Sequence, residues 1–152
     1  MKEERKIKVI HISHESHSYF IGESKNKDLK KLMLGDWYSK TALQIKKYYP
    51  EIEIECWTPE KMEKTEKNFI FSGIKYRIFP TTFSLVYALD FSMPMQKALK
   101  QEVEKAEQKN IKLIIHLHEY HNLHGLLIAT SFKKSYIIAQ HHGGSRPWKH
   151  IK

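Results

Sequence analysis

At 152 residues, with 41% hydrophobic and 28% charged residues, the chain has the length and composition of one ordinary globular domain. Its net charge of +9 favours anionic partners, yet the lysines are dispersed and mostly interleaved with glutamate, so a solvated surface is expected and a nucleic acid is not. No apolar run reaches about 18 residues, MKEERKIKVIHIS lacks a signal-peptide core, and Cys56 is the only cysteine, so no membrane span, leader or internal disulfide is expected and a cytoplasmic setting is the default.

Lys6 to Ser13 (KIKVIHIS) reads as a first strand, ending in the polar cluster His14-Glu15-Ser16-His17. Residues 18–35 read as a long loop with Gly22 and Gly35. Asp36 is a plausible N-cap for a helix to Tyr49, because Tyr38, Ala42, Ile45 and Tyr49 recur at 4-3-4 spacing before Pro50 stops it. Glu51 to Trp57 alternates strictly and predicts a second strand, closed by Thr58-Pro59. A charged segment follows to Lys67. Asn68 to Phe71 and Ile74 to Phe79 flank Ser72-Gly73, a two-residue turn signal, which predicts a hairpin. Residues 80–92 are apolar and aromatic without a clear period. Pro94 then opens a helix to Gln108 with Met95, Leu99, Val103 and Ala106 inward, and Asn110 ends it.

Two stretches organise the rest: IKLIIHLHEYHNLHGLL from Ile111 and YIIAQHHGGSRP from Tyr136. Each is a short apolar run that stops in histidines and glycine, and reads as a strand buried on both faces. Between them a helix is expected from Asn122 to Phe132, with Leu123, Leu126, Leu127 and Thr130 inward and Gly125 allowing close packing. The resulting order, β-α-β-hairpin-α-β-α-β, predicts a single α/β domain over 1–152. Its form is a Rossmann-like, mostly parallel sheet with helices on both faces.

Ligands of open α/β sheets bind beyond the carboxyl ends of the strands, so the candidate site residues lie there. His116 and His118 face the same way on a strand, which suits a metal pair, and the alternative is packed histidines. His121 and His124 fall one turn apart on the following helix. After the last strand, His141-His142-Gly143-Gly144 with Arg146 can hold a phosphate or sugar hydroxyls, or simply make a tight turn into Pro147. His14 ends the first strand. Trp37 and Tyr38 offer an aromatic platform for a sugar or, alternatively, core packing. The chain has no G-x-G-x-x-G after its first strand, no G-x-x-x-x-G-K-[ST] and no G-x-S-x-G, which sets aside dinucleotide binding, P-loop chemistry and a nucleophile elbow.

With a strand ending in His-x-His-Glu (IIHLHEYHN), one helix, and about twenty residues later a strand ending in a histidine–glycine turn (IIAQHHGGSRP), the chain resembles the N-terminal half of a GT-B fold glycosyltransferase of family 4. The resemblance implies an acceptor-binding domain in which His118 sits beside the transferred sugar. His141, His142, Gly143 and Gly144 match its acceptor-side turn. From their own placement at the strand ends, His14, Glu119, His121 and Arg146 are expected to bind substrate with that turn. The resemblance implies retaining transfer from a nucleotide-sugar donor to a hydroxyl acceptor, sugar or lipid-linked, without a bound metal or other cofactor. Peripheral contact with the inner face of a membrane fits such an acceptor. SHESHSYFIG stands where many relatives have a Gly-Gly turn. The donor domain of such an enzyme lies beyond these 152 residues, so the chain by itself is expected to be inactive. Two rival classes stay open. One is a metal-dependent hydrolase on His116, His118, His121 and His141 or His142, although Asp90 is the last aspartate in the sequence. The other is a basic nucleic-acid or membrane module.

Overall fold

The computed structural model describes residues 5–13, 16, 28–84, 90–118, 123–132 and 135–141. Six strands form one sheet: β1 (Ile7–Ile12), β2 (Glu53–Glu60), β3 (Lys67–Phe71), β4 (Ile74–Pro80), β5 (Lys112–His118) and β6 (Tyr136–Gln140). Their spatial order is β3-β4-β2-β1-β5-β6, and every pairing is parallel except β3 with β4. The chain builds outward from β1 through β2 to β4, then crosses to the other side of β1 to lay down β5 and β6. The strand order therefore reverses between β1 and β5, and a crevice at the carboxyl ends of those two strands is the ligand position of such sheets. The expected Rossmann-like α/β architecture is what the chain adopts.

Alternation of side chains along the strands separates two cores. On one face Ile54, Cys56, Ile74, Tyr76 and Ile78 meet α1 (Leu29–Gly35) and α2 (Trp37–Tyr48) through Met33, Tyr38 and Ala42. On the other, Ile10, Ile12, Trp57, Ile115 and Leu117 meet α3 (Met93–Gln108) and α4 (Leu123–Ser131) through Met95, Leu99 and Ile128. No helix among the described residues is long and apolar enough to cross a membrane.

Local signals set most boundaries. Asp36 caps α2 through the Trp37 N–H, and Asn110 leaves α3 with a left-handed φ of 53°. Ser72 and Gly73 have φ of 49° and 73°, the two positive values of a type I′ hairpin turn. Ser92 caps α3: its Oγ accepts from the Met95 N–H at 3.2 Å and donates to the Pro80 carbonyl at 2.7 Å, tying the helix to the end of β4. Ser92→Ala removes both bonds at a buried position and is expected to cost about 1 to 2 kcal/mol in a urea melt. A change within a few tenths of a kcal/mol would mean that the cap is dispensable.

Four expectations need correction. Residues 29–35 of the expected loop are helix α1, because Asp28 accepts from the Lys30 N–H at 3.0 Å and Met33 reaches the core. The second strand does not close at Thr58-Pro59 but runs to Glu60. The Trp57 carbonyl accepts from the Ser13 N–H and that of Glu60 from the Thr81 N–H, so the nitrogen of Pro59 faces the β1 side beyond the last pairing at Trp57. Its missing N–H costs no ladder bond there. In α4 it is Gly125 and Ile128 that point inward, while Leu126 and Thr130 are exposed and the Thr130 hydroxyl returns to the Leu126 carbonyl at 2.9 Å. Finally, β6 is not buried on both faces. It is the sheet edge, with Tyr136 59% and Ile138 50% exposed.

The amino-terminal half of the sheet contains a buried ion cluster on the α3 side. The Lys8 ammonium lies 2.6 Å from Glu55, 2.7 Å from Glu102 and 2.8 Å from Glu53, and its side chain is 4% exposed. Burial alone would lower the Lys8 pKa, but the hydrogen bonds to Glu102, Glu53 and Glu55 outweigh it and hold the ammonium above its usual range. The Trp57 indole N–H donates to the other oxygen of Glu55 at 2.8 Å, so that carboxylate is bonded on both sides.

Candidate functional site

The switch point is lined by histidine. In the β1–β5 ladder His11 stands directly opposite His116, and His118 follows two residues on, so all three side chains leave the same face near the carboxyl ends of the two strands. They are buried, at 0%, 8% and 4% exposure for His11, His116 and His118. The rings touch: centroids are 4.2 Å apart for His116 and His118, 4.9 Å for His11 and His116, and 5.3 Å for His11 and His118. Nδ1 of His11 lies 3.0 Å from Nε2 of His118, a hydrogen bond whose donor depends on tautomer. Nε2 of His116 lies 3.0 Å from the side-chain oxygen of Gln140, which sits beside His118 in the β5–β6 ladder. An amide oxygen only accepts, so His116 donates Nε2–H there. Nε2 of His11 has no hydrogen-bond partner among the described residues.

Two environments bound this cluster. Tyr38, from the first turn of α2, presents an edge to His118 at 6.1 Å between centroids, and burial pushes its phenol pKa well up. Burial, followed by the neighbouring His116, lowers the pKa of His11 from 6.5 to about 3. The charged imidazolium is excluded from so enclosed a place, and His11 is a neutral Lewis base at physiological pH. Beside it, at the end of β2, Ser16 forms a polar brace. Its hydroxyl donates to Glu60 and accepts from the Lys61 N–H at 3.1 Å, and its own N–H donates to Asp90 at 3.4 Å. Glu60 and Asp90 are both 1% exposed, so these two carboxylates sit within the protein next to the carboxyl edge of the sheet.

Of the residues expected to form the site, His118 ends β5, as its motif suggested, but its ring is enclosed among His11, His116 and Tyr38. His141 is exposed and directly follows β6, next to the β5 end. His14, Glu119, His121, His142, Gly143, Gly144 and Arg146 lie outside the described residues. Tyr38 belongs to the core, whereas Trp37 is 64% exposed at the start of α2. Three contributors were missed. His11 was counted only as part of an apolar strand. Glu60 was placed in a charged segment, and Gln140 was given no role. A lone polar residue in KVIHIS was the available signal for His11, but nothing in a linear reading says which strand lies beside it.

No family model, curated protein or solved structure matches this chain.

Proposed function

We propose that the chain is the acceptor-binding side of a glycosyltransferase, holding a hydroxyl-bearing sugar or lipid-linked sugar at the carboxyl ends of β1, β5 and β6. The observation that supports this reading is the parallel pairing of β5 with β6, in which His118 stands opposite Gln140. The ends of the two histidine motifs, 24 positions apart at His116 and Gln140, are thereby neighbours at the switch point. His118 serves there as a positioning and electrostatic residue at the floor of the crevice, since its enclosed ring is no nucleophile. The exposed His141 serves at the rim. The nucleotide-sugar donor would be held by a second domain, and contact with a membrane face would follow if the acceptor carries a lipid.

Amide chemical shifts of the labelled chain, titrated with simple glycosides and separately with a nucleotide sugar, test the proposal. Saturable shifts at Ser13, His118 and His141 are expected with the glycoside and not with the nucleotide sugar. His118→Ala is expected to weaken the glycoside at least tenfold, about 1.4 kcal/mol. Preferential binding of the nucleotide sugar at these strand ends, or no glycoside binding at millimolar concentration, would overturn it.

A further inference from the structure

We propose that His11, His116 and His118 form a binding site for a divalent transition-metal ion, best matched to zinc. The proposal stands on the cluster itself and goes beyond the sugar reading, which calls for no metal.

Three observations carry it. The first is placement. Each histidine offers a ring nitrogen, and these three atoms all lie within 4.8 Å of one another in a buried setting. Zinc bonds imidazole nitrogen at about 2.0 to 2.1 Å, which sets tetrahedral ligand atoms about 3.3 Å apart. The 3.0 Å separation of His11 Nδ1 and His118 Nε2 is close to that spacing, and His116 offers its ring nitrogen within 4.8 Å of the other two ligand atoms. The second is rigidity. Two of the ligands stand opposite each other in a central parallel ladder and the third shares a strand with one of them, so the backbone fixes all three.

The third is the chemistry of the donors. A strand face in the interior is normally apolar, yet this one carries three buried imidazoles with their rings in contact. Gln140 fixes His116 from behind, the outer contact that orients a metal-ligating imidazole. Three neutral nitrogens are the donor set of His₃ zinc centres, in which a fourth position takes water. Nitrogen ligands of this kind select zinc, copper, nickel or cobalt over magnesium and calcium, which take oxygen.

The test uses the full chain, stripped with chelator and free of sugar. Titration with Zn²⁺ by calorimetry is expected to show one ion per chain at sub-micromolar affinity, and Co²⁺ is expected to give the intense visible bands of a tetrahedral centre. His11→Ala, His116→Ala and His118→Ala should each weaken zinc at least 100-fold, while His141→Ala should leave it unchanged. Gln140→Ala, at the sheet edge, leaves the three ligands in place and is expected to weaken zinc about 10- to 100-fold. It keeps the proposal falsifiable if a histidine variant fails to fold. Absence of stoichiometric binding at 10-fold excess zinc over about micromolar protein, or binding undiminished in Gln140→Ala and in every folded histidine variant, overturns it. Because the glycoside titration is run separately in chelator, failure of the sugar reading leaves the zinc result standing, and the reverse holds too.

Discussion

Replacing Lys8 with alanine is expected to cost the fold about 3 to 5 kcal/mol, the penalty of leaving buried charge without its partner. The side chain is 4% exposed and meets Glu55, itself 7% exposed, at 2.6 Å and Glu102, 16% exposed, at 2.7 Å. Glu53 is 59% exposed and contributes little, because water screens it. Lys8→Met, which refills the apolar volume, should recover only part of the loss, since the carboxylates remain. A cycle of Lys8→Met with Glu55→Gln is expected to show coupling of about 1 to 3 kcal/mol. Burial by itself would raise the Glu102 pKa, but the Lys8 bond and charge bring it below 4.5. That stabilisation is present above about pH 4.5 and fades as pH falls through the lowered value. Urea denaturation at pH 7 measures the main effect, and a loss under about 1 kcal/mol would place the cluster with ordinary surface pairs.

Acidification is expected to destabilise the metal-free protein well before its carboxylates titrate. The His11 pKa falls from 6.5 in a free chain to about 3 in the fold. Above pH 6.5 neither state holds the proton, and the full stability is present. Between 6.5 and about 3 the unfolded chain binds one proton more than the folded one, so stability falls as pH falls. The slope from this group is about 1.4 kcal/mol per pH unit, which amounts to about 2 kcal/mol between pH 7 and pH 5. Below about pH 3 the folded form is protonated as well and the loss levels off. Urea melts in chelator across that range measure the slope, with His11→Gln as the comparison in which it is reduced. Equal slopes in the two proteins would show that His11 is not held neutral by the fold.

The local chemistry of this chain was legible because local chemistry decided it. Asp36 before an apolar 4-3-4 pattern starts a helix wherever it occurs, and Ser72-Gly73 between two apolar runs makes the hairpin turn from its own φ preferences. The alternation of strand and helix patterns was enough to predict a parallel sheet, since right-handed crossovers leave few other arrangements. Pro59 and the 29–35 segment were misread for one shared reason. A proline ends a strand only if its nitrogen faces a neighbour, and Met33 is worth a helical turn only if a core awaits it.

The candidate site divides in the same way. That His116 and His118 leave one face at the end of an apolar strand could be read from the residues alone, because it follows from a period of two. Long-range packing places β1 beside β5 in the register that sets His11 against His116, and brings Gln140 of β6 to His116. Strand adjacency is fixed by how the two helical layers cover the sheet, a sum over contacts distant in sequence. His11, more than 100 positions from His116 and His118, thus joins them in one buried cluster only once the sheet has closed around all three.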